Sequence, residues 1–142
     1  MSFMESISTC FAKYATFSGR ALRSEFWWYV LFILAAQIVL GVVDSMVFES
    51  KEVMAVSGLS NVQEGMSFSF SYQPQPITSI FLLATFLPSL AVGARRLHDT
   101  GRSGWWQLIV IIPLIGLIIL IVFWASQGVE GDNTYGAAPQ IA

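Results

Sequence analysis

The chemistry-bearing residues of this chain gather in one short run, Arg95-Arg96-Leu97-His98-Asp99. His98 is the sole histidine, and an imidazole with its ordinary pKa near 6.5 is suited to general acid–base work. Asp99, however, is its immediate neighbour, and on a helix adjacent side chains diverge by about 100°, a poor arrangement for an acid–base pair. A metal would require roughly three or four ligands, and around this run the chain offers only His98, Asp99, Glu25, Cys10 and Glu5. There is no glycine-rich phosphate loop, nucleophile elbow or zinc-protease helix. Catalysis, a cofactor and a metal are therefore not expected.

Charge pairing is the chemistry that the spacing does permit. On a helix continuing through Asp99, Arg95 lies four residues and Arg96 three residues away, close enough for ion pairs. Gly101 suits the helix stop. Glu25 needs a cation as well, and an arginine of a neighbouring segment can supply it. Arg20, Arg23, Glu25, Arg95, Arg96, His98, Asp99 and Arg102 are thus the candidate site, with two readings. They form a carboxylate–guanidinium network tying helix ends together, or they contact anionic lipid headgroups or a small anion. Each arginine group leads into a tryptophan pair, Trp27-Trp28 after Arg23 and Trp105-Trp106 after Arg102. Indoles settle at the headgroup level of a bilayer, so these four residues are expected to be interfacial anchors.

The elements that must hold these residues follow from the apolar runs. Phe26 to Val43, Ile77 to Ala94 and Trp105 to Trp124 contain no charged residue. At about 1.5 Å per residue each approaches the roughly 30 Å hydrocarbon core. None carries a polar stripe at helical spacing, and none alternates in the manner of a barrel strand. Pro88 with Ser89 and Pro113 with Gly116 are points where a helix could kink or break. The expectation is an all-α integral membrane protein with three transmembrane helices: span 1 at 26–43, an outer loop at 44–76, span 2 at 77–94, a cytoplasmic loop at 95–104, span 3 at 105–124 and an outer tail at 125–142. Phe3, Ile7, Phe11, Tyr14 and Phe17 recur at steps of three or four over residues 1–18. This predicts an N-terminal amphipathic helix within the 1–25 segment, lying in the interface or capping the bundle. The alternation from Met66 to Tyr72 reads as a strand, with a disordered loop as the rival reading.

Composition agrees. Across 142 residues hydrophobic side chains make up 55% and charged ones 11%, against about 25% charged in a soluble domain, and the mean hydropathy is +0.65. A net charge of −2 argues against a nucleic-acid partner. Six of the seven basic residues fall on one side of the three-span topology, Lys51 being the exception. By the positive-inside rule that side, with the N-terminus, is cytoplasmic, which would put the C-terminus outside. Cys10 is the only cysteine, so no intramolecular disulfide exists.

Three stretches together resemble a known family: Gly19-Arg20-Ala21-Leu22-Arg23-Ser24-Glu25-Phe26-Trp27, then Arg95 through Asp99 joined to Thr100-Gly101-Arg102-Ser103-Gly104-Trp105-Trp106, then Pro113-Leu-Ile-Gly116 with the tail from Gly128 to Gly136. The pattern is similar to the bacterial inner-membrane family called domain of unknown function 805, over about Phe11 to Pro139. The resemblance implies a small protein of the bacterial cytoplasmic membrane with no established biochemical activity. The 44–76 loop is long beside compact members. The tail motif with Asn133, Tyr135 and Gly136 reads physically as a tight turn, either a structural clasp or a binding loop. The functional expectation is a non-enzymatic membrane component whose arginine-rich inner face meets anionic lipid, a protein partner or a second copy of the chain. The alternative is a subunit of an oligomeric transporter or channel.

Overall fold

The computed structural model describes residues 1–48, 51–56, 68–72 and 75–139. In chain order they form α1 (Phe3–Ala12), α2 (Arg23–Val47), strands β1 (Lys51–Val56) and β2 (Phe68–Tyr72), α3 (Pro76–Asp99), a 3₁₀ helix (Gly104–Ile111) and α4 (Ile115–Ala125). The chain divides into two units, residues 35–82 and residues 1–34 with 83–142.

The two long helices contain the first two expected spans. α2 and α3, of 25 and 24 residues, are long and apolar enough to cross a membrane, each about 36 Å at the usual rise. In the unit of residues 35–82, the Asp44 carboxylate accepts hydrogen bonds from the amides of Ile77 and Thr78 at 3.1 and 2.8 Å, and from the Thr78 hydroxyl at 2.7 Å. The orphan N–H groups at the start of α3 are thereby capped from another helix. In the same unit β1 and β2 pair antiparallel, from Lys51 opposite Tyr72 to Val56 opposite Phe68, with a bulge between Glu52 and Met54. The alternation ending at Tyr72 is thus a strand from Phe68 onward, while Met66 and Ser67 lie outside the described residues.

In the other unit α1 opens with a capping box, Ser2 accepting from the Glu5 amide and Glu5 from the Ser2 amide. Ser6 and Cys10, one turn apart, form its buried side. Phe3 meets Trp28 edge-on, and Phe11 meets Tyr29 and Phe32. α1 ends at Ala12, earlier than the 1–18 periodicity predicts. Tyr14 lies beyond it and donates its hydroxyl hydrogen to the carbonyl of Ala84. That carbonyl stands four residues before Pro88, which has no N–H to give it. The tyrosine therefore fills the gap that the proline leaves inside α3.

The third apolar run departs from expectation. Residues 105–124 do not form one helix: the chain makes two turns and more of 3₁₀ helix, turns over at 112–114, and returns as α4. Pro113 explains the break, because its ring clashes with the carbonyl of Ile109 in a continuous helix and it offers no donor. Leu114 takes up the reversal at φ +64°. Both legs lie along the second half of α3. On the way out, Gln107 donates from Nε2 to Leu90 O at 3.0 Å, and on the way back Trp124 donates from Nε1 to Gly93 O at 3.2 Å. The tail accordingly reaches the end of α3 that bears Arg95, Arg96 and Asp99, and is not carried away from it as the three-span layout requires. Gly116 permits the fold-back, since a Cβ there would collide with the carbonyl of Ile109. Gly116→Val should lower the melting temperature of the detergent-purified protein, with a cost on the order of 1–3 kcal/mol from overpacking. Gly41→Ala, where a Cβ meets nothing within 4 Å, should leave it unchanged in the same thermal scan.

Candidate functional site

Consecutive residues on a helix face different neighbours, and Arg95 and Arg96 part company for that reason. Arg95 turns toward α2, where its Nη1 meets Glu25 Oε1 at 2.6 Å. Arg96 turns toward the returning chain. Its Nη1 pairs with Asp99, one turn further along α3, its Nε donates to Trp124 O at 2.9 Å, and its Nη2 donates to Ser126 O. The pairing of Arg95 with Asp99 that a four-residue spacing allows is not formed; Glu25 takes its place.

Asp99 sits between two guanidinium groups. Its Oδ2 faces Arg96 and its Oδ1 accepts from Arg20 Nε at 2.9 Å. Arg20 continues into the tail, donating to Gly131 O at 2.5 Å and Val129 O at 2.6 Å. The backbone closes the same junction, with Val129 N–H on Asp99 O at 2.8 Å and Ala21 N–H on Arg95 O at 3.1 Å. Side-chain exposures of 2%, 1% and 0% for Arg20, Arg95 and Arg96, and of 5% and 7% for Glu25 and Asp99, make this a buried ionic cluster. Buried charges survive when paired and hydrogen-bonded; carbonyl oxygens supply what Asp99 does not for Arg20 and Arg96, whereas Arg95 Nε and Nη2 are buried without a hydrogen-bond partner among the described residues. Gly128 belongs to the cluster by size alone, since a Cβ there would strike the Asp99 carboxylate.

The remaining candidates stand at the edge. His98 points away from Asp99's ion pairs, its Nδ1 lying 3.2 Å from Gly19 O, and its ring stacks on Tyr135 at 4.1 Å between centroids. Asn133 donates to His98 O at 2.9 Å and accepts from the Tyr135 amide at 2.9 Å, an Asx turn that holds the tail in place. Arg23 is exposed and donates to Ala125 O at 3.2 Å. Arg102 stacks its guanidinium 4.0 Å over Phe123. Among the described residues neither Arg23 nor Arg102 meets a carboxylate. Trp27 and Trp28 are partly exposed and, with Arg23, Ser24, Leu31 and Ala125, line an open groove of about 480 Å³; Trp105 and Trp106 line a second of about 290 Å³. Among the described residues no three His, Cys, Asp or Glu side chains come together as a metal would require.

Cys10 enters the cluster unannounced by any motif, its Sγ 3.9 Å from Glu25 Oε1. Burial first, and the Glu25 charge second, push its thiol pKa up to about 12. The tail carbonyls were equally invisible, because a backbone acceptor leaves no mark in the side-chain sequence. Gly128, Asn133 and Tyr135 were the available signals.

Two helices long and apolar enough to cross a membrane, with a buried ionic cluster at one end, are consistent with a small helical integral membrane protein. The chain belongs to the family described as proteins of unknown function DUF805, whose pattern matches residues 14–137. It is 38% identical over 129 residues to the inner membrane protein YhaH of Escherichia coli K12, covering 91% of each chain. It is 35% identical over 128 residues to the inner membrane protein YhaI of the same strain, covering 90% of this chain and 89% of that one. The uncharacterized protein YiiR of that strain is 27% identical over 151 residues, covering 88% of this chain and 86% of its own. No solved structure matches.

Two outcomes test the cluster. Glu25→Ala strands a buried guanidinium and should cost about 3–5 kcal/mol, read as a fall in melting temperature and in membrane accumulation, whereas Glu25→Ala with Arg95→Met should recover much of the loss. Cys10, held as the neutral thiol, should resist maleimide at pH 7.5 in the folded protein and react once detergent denaturation exposes it.

Proposed function

We propose that the chain is a non-enzymatic, multi-pass component of the bacterial cytoplasmic membrane that binds an anionic phospholipid headgroup at its cytoplasmic face. The observation that carries this reading is the division of labour among the basic residues. Arg20, Arg95 and Arg96 are buried and committed to carboxylates and carbonyls, so they are not the lipid contacts. Lys13 and Arg23 are exposed, and Arg23 stands on the groove walled by Trp27 and Trp28. A guanidinium beside two indoles at a helix foot matches a phosphate with its acyl chains alongside. α1 lies in the interface in this reading, with Phe3 and Phe11 exposed beside α2.

The positive-inside rule favours the cytoplasmic leaflet for this face. The non-enzymatic part draws support from Asp99 and His98, which turn to different partners and assemble no acid–base pair. An oligomeric transporter remains the competing account.

Native mass spectrometry of protein extracted from membranes containing phosphatidylglycerol and phosphatidylcholine separates the two. The wild type should retain the anionic lipid selectively. Lys13→Gln and Arg23→Gln should each weaken retention about fivefold, in line with ~1 kcal/mol per basic residue near the surface. Equal retention by the doubly neutralised protein would contradict the reading, and a lipid-free ring of subunits would favour transport.

A further inference from the structure

We infer that residues 104–125 form a re-entrant hairpin embedded in a single leaflet, entering and leaving at the face that bears the arginine cluster, with the acyl chains of that leaflet as its partner. Length excludes a crossing. The 3₁₀ leg has eight residues and α4 has eleven. At about 2.0 and 1.5 Å per residue both come to roughly 16 Å, half of a hydrocarbon core of about 30 Å.

Both ends lie at one level of α3. A Cβ added at Gly104 would fall 2.9 Å from the Cβ of Ala94 and 3.5 Å from His98 Nε2, and on the return Arg96 holds Trp124 O and Ser126 O. Exposed tryptophans, Trp105 and Trp106, stand at the entry, where an interfacial belt would hold them, while Trp124 at the exit packs inward on Phe26 and bonds Gly93 O.

The surface is made for hydrocarbon. No charged residue occurs from Trp105 to Val129, and Trp105, Ile111 and Leu114 are 78%, 77% and 76% exposed. So continuous an apolar surface is foreign to water. A bilayer accepts irregular backbone only where its polar groups find partners, and at the tip three of the four amide N–H groups do, that of Leu114 being the exception. Ile112 N–H bonds Ile109 O at 2.9 Å, Ile115 N–H bonds Pro113 O at 2.8 Å, Gly116 N–H bonds Ile112 O at 2.9 Å, and Pro113 has no N–H to satisfy. The hairpin does not depend on the lipid-headgroup reading; only the name of the leaflet rests on the orientation given there.

Single cysteines in a Cys10→Ala background test it, at Gln75→Cys before α3, Leu114→Cys at the tip and Ala137→Cys in the tail. A membrane-impermeant maleimide is applied to intact spheroplasts and to lysed ones. The cysteines at 75 and 137 should label from opposite sides. The one at 114 should label from neither, and a fluorophore placed there with a permeant reagent should be quenched at least twofold more by a nitroxide deep in the acyl chain than by one at the headgroup. Fluorescent-protein fusions to the unsubstituted chain, needing no cysteine, should report the N- and C-termini in the same compartment. Labelling at 75 and 137 from the same side, or termini in different compartments, would show a crossing and overturn the inference. Ready aqueous labelling at 114 would place the hairpin in water, and efficient disulfide cross-linking of Leu114→Cys between copies would replace lipid by a second chain; either overturns it.

Discussion

A carboxylate held between two guanidinium groups is the interaction on which the rest of the unit formed by residues 1–34 and 83–142 depends. Asp99 receives Arg20 from the segment before α2 and Arg96 from its own helix. In a setting that excludes water, an uncompensated charge is far costlier than a mispacked methyl group. The chain must therefore deliver counter-charges and carbonyl oxygens to this point. Glu25 does so for Arg95 through one donor, and the backbone of Trp124, Ser126, Val129 and Gly131 does so for the donors that Asp99 leaves over on Arg20 and Arg96.

That requirement accounts for the path of the C-terminal third. An arginine presents five donors in a fixed fork, and Arg96 and Arg20 together have more than Asp99 can accept. Carbonyls beyond α4 satisfy them only if α4 ends beside α3's last turns. A helix crossing to the far side would leave those donors without partners. The proline at 113, the glycine at 116 and the missing side chain at Gly128 each remove an obstacle to the return. His98 fits the same account: it is pinned by Gly19, Asn133 and Tyr135 as part of the tail's seat.

Much of this was legible in the sequence. Charge-free runs located α2 and α3, because length and hydropathy mark a candidate spanning helix. Scarcity of charge singled out Glu25, Asp99 and their arginines, since so apolar a chain keeps charges only where they are needed. Three things were not legible. Hydropathy over residues 105–124 is blind to direction, so a run that doubles back has the same composition as one that crosses; Pro113 and Gly116 carried the difference. Helical spacing offered Asp99 to both Arg95 and Arg96, and only the packing of α2 against α3 gives Arg95 to Glu25 instead. β1 likewise lacked the clean alternation that marked β2, and its pairing is visible only in the ladder.

The central claim, that Asp99 and its two arginines hold the tail and the hairpin's return in place, is tested most directly by hydrogen–deuterium exchange over residues 126–136 in a lipid nanodisc. The wild type should protect amides of this segment, Val129 above all, well beyond the rates of an unstructured peptide. Asp99→Asn should release them while α2 keeps its protection. A tail that exchanges freely in the wild type, or one whose protection is untouched by Asp99→Asn, would contradict the account.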